Sequence, residues 1–345
     1  MNKDTVSTAP DGQPFQLAEL RNAAGMTVTL MDWGATLLSI KVPMNDGSLR
    51  EVALGCARTE IWTQQDACLG ASIGRYANRI ADSRFTLDGK VFELVPNQGQ
   101  HQLHGGPEGF NKRRWHVEHQ SANSVRYALT SNDGDQGFPG TLHATACFTL
   151  HDDQRLTIDY QANVDQPCPV NMTNHVYFNL DGVQGDIRHH RLQVFADRYL
   201  PVSKEGIPTR GLVPVDATSF NFRQPKAILQ DFLTDDDQRN VNGYDHAFLL
   251  SAKGDLKAPA AHVWSTDGSL QMTVHTTAPA LQVYTGNSLE GTPARDGGHY
   301  EAWQGLALES EFLPDSPHHP EWPQPDCILR PGQHYRSVTE YAFTS

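Results

Sequence analysis

Apolar and polar residues alternate with a period of two along much of this chain. Met26, Val28 and Leu30 are interleaved with Thr27 and Thr29, Leu38, Ile40 and Val42 with Ser39 and Lys41, and Leu156, Ile158, Tyr160 and Ala162 with Thr157, Asp159 and Gln161. That period sends successive side chains to opposite faces of an extended backbone, so each run predicts one half-buried strand. Helical periodicity is scarce. Asp88-Gly89 separates Phe85-Thr86-Leu87 from Val91-Phe92-Glu93-Leu94, and an Asp-Gly step between apolar runs predicts a hairpin, because both turn residues tolerate positive φ. Asp152-Asp153-Gln154 punctuates a second pair of strands. Many strands without intervening helices predict an all-β fold of antiparallel sheets, packed face to face or closed into a barrel. The 28 glycines and 21 prolines are spread throughout. With no composition shift to mark a boundary, residues 1–345 read as one domain.

Charge narrows the partners. The chain carries a formal net charge of -13, which repels a phosphate backbone or an anionic membrane, so neither nucleic acid nor membrane is expected as a partner. The one compact basic run, Lys112-Arg113-Arg114, lies beside Trp115 and reads as solvated surface or the rim of a cleft. Five separated cysteines, Cys56, Cys68, Cys147, Cys168 and Cys327, form no C-x-x-C pair and read as reduced, mostly buried thiols. With no apolar leader or membrane-length segment in view, a soluble cytoplasmic protein is the expectation.

The richest chemistry lies in Asn171-Met172-Thr173-Asn174-His175-Val176-Tyr177-Phe178-Asn179-Leu180. Extended, it places His175, Tyr177 and Asn179 on one face and Val176 and Phe178 on the other. A face of three polar groups is poor core material, and it suits a ligand rich in hydroxyls as well as it suits an exposed outer sheet face. In His101-Gln102-Leu103-His104-Gly105-Gly106-Pro107, the His-x-x-His spacing could bind a metal if it lay on a helix, but the Gly-Gly-Pro argues for a loop whose histidine hydrogen-bonds a ligand. His189-His190 and His318-His319 read as surface. Thr234 to Asn242, which contains Asp235-Asp236-Asp237, reads as a solvated polar loop that lacks the Gly and Glu of a calcium loop. In Leu306-Ala307-Leu308-Glu309-Ser310-Glu311-Phe312, Glu309 and Glu311 share one face of a strand, and either carboxylate is a candidate general base. Gln282 and Tyr284 form a similar polar face in Leu281-Gln282-Val283-Tyr284.

These segments together resemble the aldose 1-epimerase family, the galactose mutarotases, from about Thr27 to the C-terminus, and most nearly its enterobacterial type. The resemblance is carried by Gly74-Arg75-Tyr76-Ala77-Asn78-Arg79-Ile80, the His101 to Pro107 loop, Asp135-Gln136-Gly137-Phe138-Pro139-Gly140, the Asn171 to Leu180 segment, Gly243-Tyr244-Asp245-His246, and Leu308-Glu309-Ser310-Glu311-Phe312 with Pro314-Asp315. It implies a large antiparallel β-sandwich, a supersandwich with very little helix, an open sugar cleft, and no cofactor or metal. It further implies that Glu309 takes the proton from the anomeric hydroxyl and His175 protonates the ring oxygen, while Asn78, Arg79, His104, Asp245 and Gln282 hold the sugar. A modest upward shift from an imidazole pKa of about 6.5, supplied by a nearby carboxylate, is expected to keep His175 protonated. The partner implied is a small aldose, with the protein acting as a monomer or homodimer.

Three other readings use the same residues. A carbohydrate-binding module needs the polar face without the acid–base pair; a glycoside hydrolase would pair Glu309 with a carboxylate such as Asp245; a sugar-phosphate epimerase would draw on Lys112, Arg113 and Arg114. The preferred aldose is set by contacts finer than these motifs.

Overall fold

The computed structural model describes residues 7–182 and 185–345. Two antiparallel sheets dominate it. The larger has nine strands, and its centre runs Ser124–Ser131, Leu142–Leu150, Arg155–Val164, Tyr335–Thr344, Gln271–Thr276 and Pro259–Trp264 in spatial order. The smaller has six, in the order Tyr177–Phe178, Leu306–Glu311, Ala280–Tyr284, Asp245–Leu250, Ala196–Tyr199 and Val213–Pro214. Leu17–Arg21, Thr27–Met31, Thr36–Pro43 and Leu49–Glu51 make a separate four-stranded sheet. The α-helices among the described residues are two single turns, Thr59–Trp62 and Asp236–Arg239.

The predicted alternation is realised in the core. Leu156, Ile158, Tyr160 and Ala162 are buried along Arg155–Val164 with half-buried polar residues between them. Inner faces of the two large sheets meet: Phe178 of the smaller lies 4.9 Å, centroid to centroid, from Tyr341 of the larger, whose hydroxyl donates to the Leu308 carbonyl. This is the expected sandwich. The Asp88-Gly89 hairpin forms between Arg84–Leu87 and Lys90–Glu93, and the Asp152 to Gln154 turn joins Leu142–Leu150 to Arg155–Val164.

Three expectations need correction. The 171–180 segment is not one strand: Thr173–Asn174 pairs with Ser72–Ile73, and Tyr177–Phe178 pairs with Leu306–Ala307 across a break at His175 and Val176. All ten residues are buried, so the exposed-face reading fails, and Asn179 turns away to donate from Nδ2 to the carbonyls of Gly185 and Gln304. The acidic 234–242 stretch contains a helical turn rather than only loop, because Asp235 caps it by accepting from Gln238 N. Finally, His190 is not at the surface: it is 1% exposed, with Nε2 accepting from Leu180 N.

Two sequence motifs prove to be one structural device. Arg75 is buried and donates to Ser131 Oγ and to the carbonyls of Ser131, Asn132, Pro139 and Gly140, at 2.7–3.1 Å. The 135–140 loop is the socket for this guanidinium, so the 74–80 segment reaches the site from a fixed base.

Candidate active site

Period-two alternation divides the six-stranded sheet into two chemistries. Along Leu306–Glu311, Leu306 and Leu308 join the main core cluster, whereas Ala307, Glu309 and Glu311 take the opposite face. Gln282 lies directly across from Glu309, Tyr284 lies between Ala307 and Asp245, and Tyr177 flanks Ala307 on the far side. One face of regular sheet therefore collects two glutamates, an aspartate, a glutamine and two tyrosines. Gln282 Nε2 donates to Asp245 Oδ1 at 2.8 Å, bracing that carboxylate from beneath.

Irregular backbone brings the basic groups over this face. His175 donates its N–H to the Ala71 carbonyl and accepts from Gly70 N, which holds it in the break between two short strands. Its ring stacks on Tyr177 with centroids 4.8 Å apart and meets Tyr284 edge-on. Its Nε2 lies 3.5 Å from Glu309 Oε1. His104 approaches His175 at 5.3 Å, ring edge to ring face. Asn78 and His104 both hold positive φ, 66° and 51°, and Asn78 N donates to His104 Nδ1 at 3.0 Å. A ring nitrogen that accepts a hydrogen bond leaves the imidazole proton on the other, so neutral His104 carries an Nε2–H donor. The Asn78 side chain accepts from Arg79 N, and Arg79 Nε donates to Gln98.

Asn78, Arg79, His104, His175, Asp245 and Glu309 line one cleft of about 530 Å³. Gln282 is buried on the same sheet face and supports Asp245 through its Nε2. Residues 64–68, with Ser288 and 290–293, form the walls. Sequence reasoning passed over these walls, since they are irregular loops without periodicity or a cluster of reactive side chains. Arg113 is paired with Asp135, and Arg114 with Asp11 and Asp32, so these two cations brace the fold rather than forming a free basic rim.

Burial controls protonation here. It pushes the His175 imidazole down to about 4, outweighing the attraction of Asp245. The upward shift expected from a neighbouring carboxylate is thus reversed, because removing an imidazolium from water costs more than that neighbour returns. Burial also holds His104 well below its ordinary value. Glu309 is raised well above the usual carboxylate range by burial, then by the charges of Glu311 and Asp245. Burial thus favours the neutral form of both groups, acid at Glu309 and imidazole at His175.

One ligand atom each from His104, His175 and Glu309 lies within 4.8 Å of the others, a donor set that zinc or iron sites use. The tautomer opposes that use. Ligation through His104 Nε2 requires the proton on Nδ1, where it would face the Asn78 N–H.

Fold and cleft together describe a β-sandwich protein with proton-transfer groups and hydrogen-bond donors gathered around a cleft that can admit a small sugar. Such a site can withdraw a proton from one atom of a polyhydroxylated ligand and deliver another to a neighbouring atom. The family model for aldose 1-epimerase matches residues 16–342, and the chain belongs to that family. It is 65% identical over 343 residues to the aldose 1-epimerase of Escherichia coli strain K12, covering 99% of both chains. It is 37% identical over 324 residues to the human galactose mutarotase, covering 92% of this chain and 91% of the relative. Among solved structures, an aldose epimerase homologue from C. elegans superimposes with a TM-score of 0.88 at 31% identity, over 96% of this chain and 99% of that one.

Proposed function

We propose that this protein interconverts the α and β anomers of free aldoses, galactose first among them, by acid–base ring opening and reclosure. The observation that carries the reading is the contact of His175 Nε2 with Glu309 Oε1 at 3.5 Å, both buried at the floor of a cleft roomy enough for a hexose. Carboxylic acid with neutral imidazole, and carboxylate with imidazolium, are two forms of the same pair with the same net charge. An anomeric hydroxyl donating to Glu309, and a ring oxygen accepting from His175, select the second form. Glu309 then takes the hydroxyl proton while His175 protonates the ring oxygen, and the C1–O5 bond breaks to give the open aldehyde. Rotation about C1–C2 turns the other carbonyl face to O5. Closure reverses both transfers: His175 recovers its proton and Glu309 returns one to the new anomeric hydroxyl.

Arg79, the Nε2–H of His104 and Asp245 hold the remaining hydroxyls, with Asn78 positioning the first two and Gln282 positioning the third. Each well-placed proton-transfer group contributes about 10²- to 10⁴-fold, so two such groups suffice for a reaction that proceeds unaided in water. The chain works as one domain, a reading supported by a nine-stranded sheet that draws its strands from residues between His116 and Thr344. Cytoplasmic location is supported by five free cysteines; among the described residues, no helix is long and apolar enough to cross a membrane. The commitment of Arg113 and Arg114 to carboxylates favours free sugars over sugar phosphates.

The test is polarimetric. Relaxation of freshly dissolved α-galactose should accelerate in proportion to protein, and His175→Asn and Glu309→Gln should remove the acceleration while retaining the fold by circular dichroism. Galactose binding without acceleration identifies a carbohydrate-binding module, and release of reducing ends from an aryl glycoside identifies a hydrolase.

A further inference from the structure

Glu309 has a neighbour on its own face that the mechanism leaves unused. Glu311 follows two residues later on the same strand, is 1% exposed, and accepts through Oε1 from Asn78 Nδ2 at 2.7 Å. Its Oε2 has no hydrogen-bond partner among the described residues. Asn78 is the hub of the binding side: its N–H fixes the His104 tautomer and its Oδ1 accepts from Arg79 N. Glu311 therefore anchors, through one carboxamide, the residue that orients two sugar-holding groups.

Two carboxyls this close and this buried do not both ionise readily. The surroundings decide which one holds the charge. Glu309 has His175 Nε2 at 3.5 Å, a group able to become an imidazolium counter-ion. Glu311 feels the charge of Asp245, two strands away in the same sheet, and of Arg79 from the 74–80 segment, and acts in turn on the phenols of Tyr76 and Tyr335. Arg79 acts on both carboxyls and selects neither. Behind Glu311 lies a second cavity carrying Asp326, Cys327, His334 and Arg336, but Arg336 is paired with Asp159 and His334 with Gln161. The imidazolium that sugar binding selects lies beside Glu309, not Glu311.

We propose that Glu311 is a positioning residue that works as an un-ionised carboxylic acid, anchoring Asn78 while leaving the pair's single negative charge to Glu309. Burial raises the Glu311 carboxyl to about 8 against the Asn78 hydrogen bond, which lowers it, and so favours the protonated acid at neutral pH. The inference rests on Glu309 being the base, and its tests are separable from that reading. A neutral amide reproduces a neutral acid at this position: the Gln carbonyl still accepts from Asn78, whereas Ala leaves Asn78 Nδ2 without its acceptor.

The experiment compares Glu311→Ala and Glu311→Gln by polarimetry on α-galactose across pH. Glu311→Ala should lower kcat/KM by about tenfold, and Glu311→Gln should restore it to within about threefold of wild type. The acid limb of the Gln profile should coincide with that of wild type, since Glu309 then ionises beside an uncharged group in both proteins. Isotope-edited infrared spectra of the galactose-saturated enzyme should show a protonated-carboxyl band in wild type that Glu311→Gln lacks. An acid limb displaced downward in Glu311→Gln, or a band that survives the substitution, would overturn the proposal by placing the charge on Glu311. Activity retained in Glu309→Gln would instead reject the base assignment itself.

Discussion

Glu309→Gln is expected to make the protein more stable as it removes turnover. The carboxyl is buried and its ionisation in the folded state lies well above the ordinary 4.5. The unfolded chain therefore releases this proton first, and native stability falls as pH rises from about 4.5 towards the folded value. Below about 4.5 both states keep the proton and the amide confers no advantage. Glu311 supplies the scale: its value moves from 4.5 to about 8, and pH 7 lies about 2.5 units above 4.5, which at 1.36 kcal/mol per unit is about 3 kcal/mol. The charge of Glu311 adds to the burial that raises Glu309, and the gain in Glu309→Gln should be on the order of 2–3 kcal/mol at pH 7. Glu309 Oε1 has no hydrogen-bond partner to lose. Urea unfolding of both proteins at several pH values between 4 and 8 measures the difference directly. The gap should open as pH rises while polarimetric kcat falls by about 10²- to 10⁴-fold. A variant no more stable than wild type at pH 7, or a gap that does not change with pH, would refute the picture of a carboxyl held by burial at the expense of the fold.

Further outcomes follow from the same geometry. Arg75→Met should cost about 3–5 kcal/mol in urea unfolding, because it leaves buried carbonyls of the 131–140 region without their donor; a cost under about 1 kcal/mol would mean that water replaces the guanidinium. Gly206 has φ +78°, and a Cβ there would lie 2.5 Å from Arg79 Cζ. Gly206→Ala should therefore raise KM for galactose about tenfold with kcat within about threefold, and an unchanged KM would show that Arg79 does not hold the sugar. Exhaustive dialysis against a chelator should leave turnover unchanged, since the Asn78 N–H keeps the His104 proton on Nε2. Activity that is lost on chelation and restored by zinc would contradict that tautomer.

Much of the fold was legible because burial on one side of a strand imposes a period of two, and that period survives in any sequence that packs one face and wets the other. It marked Thr27–Met31, Thr36–Pro43 and Arg155–Val164, along with the hairpin at Asp88-Gly89. It also placed Glu309 and Glu311 on one face. The pattern failed where both faces are covered: residues 171–180 are buried throughout, so alternation there carried no information about the break at His175 or the turn of Asn179 towards the Gly185 and Gln304 carbonyls. His190 misled for a related reason, since a histidine that accepts a backbone N–H in the core looks no different in sequence from one at the surface.

For the site, motifs marked His175, Glu309, Asn78, Arg79, His104 and Asp245, which the fold brings to one cleft, because the chemistry of proton transfer and hydroxyl recognition restricts the side chains that can serve. Their division of labour needed three dimensions. The strand register set Gln282 across from Glu309 and within hydrogen-bond reach of Asp245, and positive-φ turns at Asn78 and His104 set a tautomer that no residue count contains. The depth of burial reversed the expected shift at His175. Alternation and residue type are local properties of a chain and can be read along it; protonation and orientation depend on the dielectric and partners that distant segments bring together, and only the folded structure determines them.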